Sequence, residues 1–449
     1  MTAAPHLTVV GAGLAGSEAA WQAASRGVRV TLVDMKPGRT SPAHREPAFA
    51  ELVCSNSLRS DSVEHAAGLL KAELRQLGSL LIRVADGVRV PAGSALAVDR
   101  QAFSGRVTAA LREHPLITVK EDLVEEIPGS GVVLFATGPL TDGALFAALT
   151  RRLGTDGLAF YDAVAPIVEA DSINQEIAFR QSRYERGEAD YLNCPLDREQ
   201  YNLFVRELLA ARRAEVHGFE DRLVFEGCMP IETMAARGED TLRFGPLRPV
   251  GLRDPRSGRR PWAVVQLRQD DAADSLYNLV GFQTRLAFPE QERVFRLIPG
   301  LEQAVFARHG VMHRNSYLRS PGQIDVACRL IREPRLRFAG QLTGVEGYVE
   351  SIASGLVAGI NAALDLLGRQ SSFLPGPETM TGALLHYVAN PTDRDFAPMN
   401  ANFGLLSPLA EMPSARGRKQ RREERIQAQV ARSLESIRQL VAESAAFPL

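Results

Sequence analysis

The N-terminal segment reads Leu7-Thr8-Val9-Val10-Gly11-Ala12-Gly13-Leu14-Ala15-Gly16, a short β-type run that leads into glycines spaced as Gly-x-Gly-x-x-Gly. The alanine-rich segment 17–25 follows and predicts a helix, because alanine has the highest helix propensity. Residues 28–33 are rich in valine and predict a second strand, which leads into Asp34. The order of strand, glycine turn, helix and strand predicts the first βαβ unit of a Rossmann-like parallel sheet.

The spacing within this unit is typical of a dinucleotide site. Gly11 suits a tight turn, Gly13 lets the backbone approach a pyrophosphate, and Gly16 lets the helix pack closely against the strand. The pyrophosphate would rest on the N-terminus of the helix, where backbone N–H groups have no partner within the helix. Asp34 follows Gly11 at about the 20-residue distance expected of the acid that accepts the ribose hydroxyls.

Two later segments repeat the pattern of a buried strand that runs into a glycine turn. They are 131–139, Gly-Val-Val-Leu-Phe-Ala-Thr-Gly-Pro, and 336–344, Leu-Arg-Phe-Ala-Gly-Gln-Leu-Thr-Gly. Both predict a strand that ends in a glycine turn, and the turn in 131–139 could return the chain to the nucleotide site, although alone it indicates only the end of a strand. Residues 347–367 then predict a helix that contains several glycines. Each helical glycine costs about 1 kcal/mol relative to alanine, so this density predicts a close neighbour, and a flavin on the helix N-terminus would be one.

The middle of the chain has a different composition. From roughly residue 160 to residue 225, Asp, Arg, Tyr and Glu are dense and periodic segments are short. We interpret this part as an inserted α+β domain. The predicted organisation is a Rossmann-like α/β domain in two parts, 1–155 and 326–449, with the inserted domain at 156–325. The charged segment 415–444 predicts a C-terminal helix.

Composition limits the classes of function. The chain has 449 residues, of which 45% are hydrophobic and 23% charged, as is typical of soluble globular proteins. No uninterrupted apolar run approaches the roughly 18 residues of a membrane span, and the N-terminus leads directly into a strand, so we expect a cytoplasmic protein that does not bind a membrane. The net charge of −1 argues against attraction of the whole surface to nucleic acid. Two arginine-rich patches, 253–260 and 416–425, are exceptions, although such runs are as often solvated surfaces.

Four cysteines, at positions 54, 194, 228 and 328, are far apart in the sequence. They form no Cys-x-x-Cys pair, so the sequence predicts neither a zinc site nor a dithiol redox centre. Cys54 follows the dinucleotide unit closely, in the segment Phe49-Ala50-Glu51-Leu52-Val53-Cys54-Ser55-Asn56-Ser57-Leu58-Arg59-Ser60-Asp61. Asp61 and Glu64 have the spacing of a capping box, which predicts that a helix begins near Asp61. We therefore expect Cys54 in a loop just before a helix, close to a bound nucleotide.

Together these segments resemble the folate- and FAD-dependent tRNA uracil-5 methyltransferases, the TrmFO family. The resemblance runs in order through nearly the whole chain, and it implies a glutathione-reductase-like FAD-binding domain around the insertion. The matching blocks are 11–16, 34–37 (Asp-Met-Lys-Pro), 41–44 (Ser-Pro-Ala-His), the Cys54 segment, 226–232 (Glu-Gly-Cys-Met-Pro-Ile-Glu), 280–284 (Val-Gly-Phe-Gln-Thr), 338–344 and 398–404 (Pro-Met-Asn-Ala-Asn-Phe-Gly).

The resemblance implies transfer of the methylene of 5,10-methylenetetrahydrofolate to carbon 5 of a uridine in the T-loop of tRNA. NADH or NADPH would supply electrons through FAD. The sequence has no second glycine fingerprint for the nicotinamide, so we expect it to dock transiently where folate later binds. The uridine is expected to flip out of its stack, because stacking hides carbon 6. No obligate protein partner is evident.

The reaction requires a thiolate, because uracil carbon 5 becomes nucleophilic only after a nucleophile has added to carbon 6. The resemblance marks Cys54 and Cys228 as the two candidates. We assign Cys228 as the uracil nucleophile, since it lies in the inserted domain, which a substrate could reach. Cys54, on the cofactor side, would protect, release or assist a one-carbon intermediate held by the flavin. Glu226, or alternatively Glu232, is a candidate base for the carbon 5 proton.

The remaining candidates are residues expected to contact the cofactor or the folate. Tyr348 is expected to pack at the isoalloxazine ring. His44, and the group His313, Arg314 and Asn315, could line the pterin or flavin pocket, although a structural surface histidine would explain either one equally well. The residues expected to contact FAD are Gly11, Ala12, Gly13, Leu14, Ala15, Gly16, Asp34, Met35, Gly138, Gly340, Gln341, Gly344, Glu346, Gly347 and Tyr348.

The sequence leaves three alternatives open. The related flavoprotein that installs carboxymethylaminomethyl groups at the tRNA wobble uridine shares the FAD fold and the use of folate, but that family is longer. In a small-molecule NAD(P)H-flavin oxidoreductase, both cysteines would be incidental. A flavin-dependent RNA-binding or chaperone protein without catalysis would bind tRNA and form no folate-dependent product.

Overall fold

The computed structural model describes residues 4–41, 43–141, 143–155, 157–185, 189–214, 229–391, 396–410 and 418–444. The first part of the chain contains β1 (His6–Val10), α1 (Leu14–Ala24), β2 (Arg29–Asp34), β3 (Ser57–Ser60), α2 (Ala66–Gln76), α3 (Leu80–Asp86), β4 (Arg89–Val90), β5 (Ala95–Val98), α4 (Arg100–Glu113), β6 (Ile117–Glu121), β7 (Val132–Phe135) and α5 (Gly143–Leu153). The middle contains β8 (Gly157–Ala163), β9 (Ile167–Glu169), β10 (Phe179–Arg180), β11 (Tyr191–Leu196), α6 (Arg198–Ala210), α7 (Ile231–Ala235), α8 (Thr241–Phe244), β12 (Ala263–Gln269), β13 (Leu276–Leu279), α9 (Phe288–Phe295), β14 (Phe306–Arg308) and β15 (Met312–Leu318). The last part contains β16 (Leu336–Phe338), α10 (Tyr348–Leu366), α11 (Met380–Ala389) and α12 (Arg418–Ser444).

Strands from the first and last parts of the chain form one parallel sheet. Within the described residues this sheet has five strands, in the order β16-β7-β1-β2-β6. β1 and β2 pair in parallel along their length, from His6 opposite Arg29 to Val10 opposite Val33. A parallel pair needs a crossover connection, and α1 provides it. The predicted strand, turn, helix and strand are confirmed, as is the α/β class with a Rossmann-like sheet.

The carboxyl ends of β1, β7 and β16 lie side by side. Val10 is opposite Phe135, and Phe135 is opposite Phe338. The glycine turns that follow these three strands therefore meet at one edge of the sheet. Open parallel sheets bind their ligands outside this edge, so the fold places the candidate site there.

Helix α10 packs lengthwise on α1 through its glycines. A Cβ on Gly355 would lie 2.2 Å from the carbonyl oxygen of Ala15, and a Cβ on Gly359 would lie 2.5 Å from that of Ala19. The expected close neighbour exists, and at these positions it is the backbone of α1, while a flavin at the N-terminus of α10 stays a prediction. The glycines of α10 approach the backbone of α1 and not a flavin, because two helices in van der Waals contact at this distance leave no space for a side chain.

By length and composition α10 could cross a membrane, and among the described helices it alone has this property. Its most apolar window, however, is 89% buried inside the protein. A helix that is apolar on all sides belongs either in a lipid bilayer or in a protein core. Its burial against α1 identifies α10 as a core helix.

Substitution of Gly359 by alanine is expected to destabilise the protein. The added Cβ would overlap the backbone of α1, and the required shift between packed helices costs about 1–3 kcal/mol. Gly105→Ala is the matched control, because Gly105 is exposed in α4 and a Cβ there meets no atom within 4 Å. The control should gain about 0.5–1 kcal/mol. Denaturant unfolding measures both changes, and equal effects would contradict the packing argument.

The middle of the chain forms a second sheet. Within the described residues it has six strands, in the order β10-β11-β12-β13-β9-β14, and all of its pairings are antiparallel. A separate hydrophobic core contains Tyr201 and Phe204 of α6, Val265 of β12 and Val294 of α9. This part of the chain is therefore an α+β unit inserted into the Rossmann-like domain. The exact boundaries, 155/156 and 325/326, stay a prediction; β8 and β15, which flank the insertion, pair with each other.

The prediction that a helix begins near Asp61 was wrong. The first helix after Cys54 is α2, which begins at Ala66, and β3 lies between them. The carboxylate of Asp61 binds two arginines instead, Arg75 at 2.8 Å and Arg89 at 2.5 Å. These ion pairs occupy the oxygens that a capping residue would offer to backbone N–H groups, so the capping-box spacing does not form a cap here.

The C-terminal helix α12 is attached to the Rossmann-like domain by a buried carboxylate. Glu73 of α2 is fully buried and accepts a hydrogen bond from the Ser433 hydroxyl of α12. The same carboxylate accepts the backbone N–H groups of Met380 and Thr381, at 2.7 and 2.8 Å, at the start of α11. One side chain thus joins three helices, and the predicted C-terminal helix is confirmed from Arg418 onward.

Candidate active site

The turn after β1 has the geometry that its glycines predict. Gly11 has a φ of +98°, and a Cβ there would lie 2.6 Å from the carbonyl oxygen of Ala136. A Cβ on Gly16 would lie 1.8 Å from the carbonyl oxygen of Gly11, whereas a Cβ on Gly13 would meet no atom within 4 Å. Gly13 caps α1 without a side-chain hydrogen bond, and the first turn has no acidic residue. The N-terminal N–H groups of α1 can therefore bind an anion.

Asp34 lies beside this turn in a cavity of about 340 Å³, which we call the Asp34 cavity. Its carboxylate accepts the backbone N–H groups of Ala12, at 2.6 Å, and Lys36, at 2.9 Å. These bonds fix the carboxylate at the end of β2 and leave lone pairs that can accept hydroxyl groups. The cavity is lined by Val10, Gly11, Val33, Asp34, Met35, Arg39, Thr40, Ser41, Asp122, Leu123, Val124, Glu125, Thr137, Leu140, Thr141, Gly143, Ala144 and Leu145.

A second cavity, of about 280 Å³, contains Cys54, and we call it the Cys54 cavity. The Cys54 segment, the N-terminus of α10 and strands of the inserted domain all contribute to its wall. Cys54 therefore lies at the junction of the two domains. The lining residues are Ala43, Val53, Cys54, Ser55, Ser57, Leu58, Arg59, Pro139, Leu140, Val164, Arg268, Gln283, Asn315, Gln341, Glu346, Gly347, Tyr348, Val349 and Glu350.

The two cavities are neighbours. Leu140 lines both of them. In the same turn after β7, Thr137 lines the Asp34 cavity and Pro139 lines the Cys54 cavity. The predicted cofactor residue Gly138 lies between these two residues with a φ of +75°. An extended ligand that begins at Asp34 could thus end beside Cys54.

Cys54 lies in a loop, as predicted, and α10 holds the backbone of that loop. The N–H of Cys54 donates to Oη of Tyr348 at 2.7 Å, and the N–H of Ser55 donates to the same oxygen at 3.2 Å. Burial raises the pKa of the Tyr348 hydroxyl above its ordinary value, so the oxygen stays neutral while it accepts these bonds. The structure therefore brings Cys54 and Tyr348, two residues predicted from the sequence, into direct contact.

Substitution of Tyr348 by phenylalanine is expected to release the Cys54 loop. Two partly buried N–H groups would lose their acceptor, at a cost of about 1–3 kcal/mol, and turnover should fall roughly tenfold because the thiol is no longer held in place. Tyr387→Phe is the control, since its hydroxyl donates to the Ala397 carbonyl outside both cavities. Flavin content, unfolding free energy and kcat would be compared. Equal activities of the two variants would contradict the role of Tyr348.

Arg268 of β12 is a site residue that the sequence analysis missed. It is only 8% exposed, lines the Cys54 cavity, and donates to Oγ of Ser55 at 2.6 Å and to Oδ1 of Asn56 at 3.0 Å. Asn56 in turn donates to the carbonyl oxygen of Gln269 at 2.9 Å. The inserted domain thus forms hydrogen bonds with both residues that follow Cys54, Ser55 and Asn56. An arginine in a mostly apolar strand was the available signal, because a buried charge requires a specific role.

Arg100, at the start of α4, is a second missed cation. It donates to the carbonyl oxygen of Leu52 and forms an ion pair with Asp270 at 2.8 Å. Arg100 and Arg268 both lie close to Cys54. Asp270 offsets the charge of Arg100, and the wall of the Cys54 cavity contains the carboxylates of Glu346 and Glu350 as well as the guanidinium group of Arg268.

Three predicted cofactor residues in the turn before α10 also line the Cys54 cavity: Gln341, Glu346 and Gly347. The amide of Gln341 donates to the carboxylate of Glu346. The backbone N–H of Glu346 donates to the carbonyl oxygen of Met399 at 2.9 Å, which ties this turn to the block 398–404. These contacts place two polar side chains where a ligand in the cavity would meet them.

Other predicted cofactor residues have packing contacts instead. A Cβ on Gly340 would lie 2.8 Å from the Ala15 side chain, and a Cβ on Gly344 would lie 2.4 Å from Phe396. Both glycines have positive φ, so the turn requires them whether or not a ligand is present. In the part of the chain that the structure describes, Ala12, Leu14 and Ala15 belong to the first turn region and line neither cavity.

The predicted histidine candidates are placed differently from one another. Nδ1 of His44 lies 2.6 Å from Oγ of Ser41, and burial, followed by the charge of Lys36, lowers the pKa of His44. His44 lines neither described cavity. Asn315 does line the Cys54 cavity, whereas the side chains of its neighbours His313 and Arg314 lie outside the described part of the structure.

Cys228 and Glu226 lie outside the described residues, in the segment 215–228. The residues that flank this segment are tethered to one place. The N–H of Ala214 donates to the carbonyl oxygen of Arg285, and the N–H of Ile231 donates to that of Gln283, each at 2.7 Å. Gln283 lines the Cys54 cavity, so Ile231 is bonded to a residue of that cavity.

Glu232, the alternative base, is hydrogen-bonded within the inserted domain. It is fully buried and lines neither described cavity. Its carboxylate accepts the Thr284 hydroxyl at 2.9 Å and the N–H of Arg285 at 3.0 Å. These bonds give Glu232 a structural role, in which it fixes the chain just after Cys228.

Two other cysteines are unsuited to chemistry. Cys194 and Cys328 are buried, and this burial raises the pKa of each thiol to about 12. A thiol with such a pKa is almost wholly protonated near neutral pH and is a poor nucleophile. Cys54, which is partly exposed in its cavity, differs from both.

Comparison with known proteins identifies the family. The model of the family described as glucose inhibited division protein A matches residues 6–370. The methylenetetrahydrofolate–tRNA-(uracil-5-)-methyltransferase TrmFO of Moorella thermoacetica is 60% identical over 401 residues, 89% of this chain and 92% of that protein. The enzyme of the same name from Symbiobacterium thermophilum is 56% identical over 421 residues, 93% of this chain and 94% of that protein.

A solved structure shares the fold. GidA of Aquifex aeolicus superposes with a TM-score of 0.68 at 16% sequence identity, over 97% of this chain and 73% of that one. The likeness confirms a Rossmann-like, FAD-binding type of fold with an inserted domain. Together with the much higher identity to the methyltransferases, it leaves one assignment. Most of the chain matches the family model described as glucose inhibited division protein A. Within that wider group, the chain belongs to the family of methylenetetrahydrofolate–tRNA-(uracil-5-)-methyltransferases, TrmFO.

Proposed function

We propose that the protein transfers the methylene carbon of 5,10-methylenetetrahydrofolate to carbon 5 of a uridine in the T-loop of tRNA, with NADH or NADPH as the electron source. A relative with 60% identity is named for the folate, the tRNA and carbon 5 of uracil. The observation that carries the proposal is the pair of neighbouring cavities, one with Asp34 and one with Cys54, joined at Leu140. We further propose that the enzyme is cytoplasmic and needs no obligate protein partner.

FAD fits the residues at this edge of the sheet. The N-terminus of α1 at Gly13 suits a pyrophosphate, and the carboxylate of Asp34 suits ribose hydroxyls. The Cys54 cavity, with Tyr348 and Gln341 in its wall, suits the flavin end. When bound, FAD would supply the two electrons that convert the folate methylene into a methyl group.

Cys228 is the proposed nucleophile toward the uridine. Its thiolate would add to carbon 6 of uracil, which makes carbon 5 nucleophilic, and would leave again after the new carbon–carbon bond has formed. The tether of Ile231, three positions later in the sequence, to the cavity residue Gln283 supports this role. Glu226 remains the proposed base for the carbon 5 proton, since Glu232 is committed to Thr284 and Arg285.

Cys54 is proposed to act on the cofactor side of the same cavity. Tyr348 fixes its backbone, and Arg100 and Arg268 supply positive charge close to its thiol. A thiolate is the reactive form of cysteine. We therefore propose that Cys54 protects or assists the one-carbon unit before it reaches the uracil that Cys228 activates.

A product assay tests the proposal. The purified protein with bound flavin would be incubated with an unmodified tRNA transcript, methylenetetrahydrofolate and NADH, and the digested nucleosides would be separated. We expect 5-methyluridine, and we expect none from a transcript whose T-loop uridines are replaced by cytidine. Absence of the product, with flavin bound and tRNA intact, would contradict the proposal. A modified wobble uridine would favour the related modification enzyme instead.

A further inference from the structure

The inserted domain has a cationic pocket at the end of β12 that is remote from Cys54. The pocket has a volume of about 640 Å³, and its wall includes Arg198, Arg243, Arg260 and Trp262. We call it the Trp262 pocket. Trp262 immediately precedes β12, whereas Arg268 near the other end of the strand lines the Cys54 cavity. At about 3.3 Å per residue along a strand, the two sites lie roughly 20 Å apart.

The carboxylates around the Trp262 pocket are already engaged. Asp254 holds Arg256 through two bonds of 3.0 Å. Asp240 holds Arg243 at 2.8 Å, and Asp197 caps α6 by accepting the N–H of Gln200 at 2.8 Å. Glu302, which also lines the pocket, accepts the N–H of Gly300 at 2.9 Å. The acidic groups beside the pocket thus either pair with arginines, as Asp254 and Asp240 do, or accept backbone N–H groups.

Four arginines have no such partner within the described ranges: two line the pocket, Arg198 and Arg260, and two lie in the adjoining loop 253–260, Arg253 and Arg259. All four are exposed. Among the residues that the structure describes, no carboxylate oxygen lies within 4.0 Å of a guanidinium nitrogen of these arginines. The net charge of the whole chain is only −1, so this surface concentrates positive charge that the composition does not reveal. An exposed surface with excess guanidinium groups is complementary to a polyanion.

Contacts with the Trp262 ring and hydrogen bonds within the loop 253–260 hold the arginines of this surface in place. The guanidinium carbon of Arg243 lies 3.5 Å from the centroid of the Trp262 ring, and that of Arg198 lies 5.3 Å from it. Hydrogen bonds between Asp254 and Arg259, at 3.0 Å, and between Gly258 and Asp254, at 2.8 Å, close the loop 253–260. A preformed surface loses little conformational entropy when a ligand binds, which favours a recognition role over a merely solvated loop.

We propose that the Trp262 pocket binds the sugar–phosphate backbone of the tRNA, roughly 20 Å from the uridine in the Cys54 cavity. The inference rests on the proposed function, since it takes its occupant from the proposed substrate. A small ligand that must react at Cys54 cannot also occupy a pocket at this distance. A polynucleotide can fill both sites, because its phosphates continue along the chain away from the reacting base.

The test is the salt dependence of tRNA binding. The triple variant R198Q/R259Q/R260Q removes three exposed charges, and R198K/R259K/R260K is the matched control that keeps them. An unmodified tRNA transcript would be titrated by filter binding at several salt concentrations. Each lost phosphate contact lowers the slope of log K against log salt by about 0.7–0.9, so the glutamine variant should lose roughly 2 from the slope and bind at least about tenfold more weakly at low salt. The lysine variant should keep most of the slope.

A short hairpin RNA tests whether the effect depends on contact with the Trp262 pocket. A T-arm hairpin cut to its loop and closing base pairs cannot span the distance to the Trp262 pocket, so wild type and glutamine variant should bind it equally. An unchanged slope for full-length tRNA would overturn the inference. Unchanged tRNA binding together with lost NADPH-dependent flavin reduction would overturn it in favour of a dinucleotide site. Flavin content and thermal unfolding verify that each variant is folded.

The two hypotheses fail in different ways. If wild type methylates and binds tRNA while the glutamine variant shows the same slope, only the location of the docking surface is wrong. If wild type binds tRNA with the expected slope but forms no 5-methyluridine, the Trp262 pocket stands as an RNA site and the proposed chemistry is wrong. If wild type does not bind tRNA, both are overturned.

Discussion

Replacement of Cys228 by alanine is expected to lower the rate of 5-methyluridine formation by at least about 10³-fold, because no other group would add to carbon 6 of the uracil. Cys54→Ala should also abolish most turnover, since Cys54 acts on the one-carbon unit. The two variants differ in what they can trap. With tRNA that contains 5-fluorouridine, Cys54→Ala should still form a denaturation-resistant adduct between protein and RNA. Cys228→Ala should form none.

Cys194→Ala is the matched control for this experiment. Cys194 is fully buried in the core of the inserted domain, and its thiol has a pKa of about 12. The variant should keep both the activity and the adduct. An adduct that survives in Cys228→Ala and is lost in Cys54→Ala would show that the roles of the two cysteines are reversed.

Replacement of Arg268 by methionine is expected to lower kcat strongly and to change the free energy of unfolding only slightly. The side chain would no longer hold Ser55 and Asn56, and the Cys54 cavity would lose a buried positive charge. Loss of one fixed electrostatic contact at a reacting centre typically costs 10²–10³-fold in kcat, and we expect a decrease of about that size. Removal of a poorly solvated cation also removes its desolvation cost, so the free energy of unfolding should change by less than about 2 kcal/mol.

Arg268→Lys and Arg183→Met are the two controls. Lysine keeps the charge but not the two-armed geometry, so it should restore part of kcat. Arg183 donates a hydrogen bond of 2.8 Å to Gln266, which lies in β12 like Arg268. Arg183 does not line the Cys54 cavity. Its replacement should leave kcat nearly unchanged. Equal losses of activity in Arg268→Met and Arg183→Met would indicate a general disturbance of β12 and would contradict a role of Arg268 at Cys54.

The parts of the fold that depend on local sequence were predictable. Gly11 and Gly16 occupy positions where a side chain would collide with the backbone. Only glycine fits there, and the spacing of these glycines is visible in the sequence. The same applies to the strands that end at Phe135 and Phe338, since a short apolar run followed by glycine is a local pattern. The position of Cys54 in a loop was predicted from a helix expected at Asp61, and the loop is confirmed although β3, and not a helix, follows it directly.

The parts that depend on partners distant in the sequence were not predictable. Asp61 has the spacing of a helix cap, but Arg75 and Arg89 compete for its carboxylate. The glycines of α10 correctly indicated a close neighbour, yet only the fold shows that α1 is that neighbour. Arg268 donates a hydrogen bond to Ser55, the residue after Cys54, across more than two hundred residues of sequence, and no spacing rule predicts such a contact.

The origin of the methyl carbon distinguishes folate from any other one-carbon donor. An unmodified tRNA transcript would be incubated with the flavin-loaded protein, NADH, methylenetetrahydrofolate labelled with carbon-13 in its methylene, and unlabelled S-adenosylmethionine. Mass spectrometry of the digested nucleosides would then report the label in 5-methyluridine. We expect the product to carry the carbon-13 label in its methyl group, because the proposed reaction takes this carbon from folate. Unlabelled 5-methyluridine, or labelled folate that is consumed without any 5-methyluridine, would contradict it.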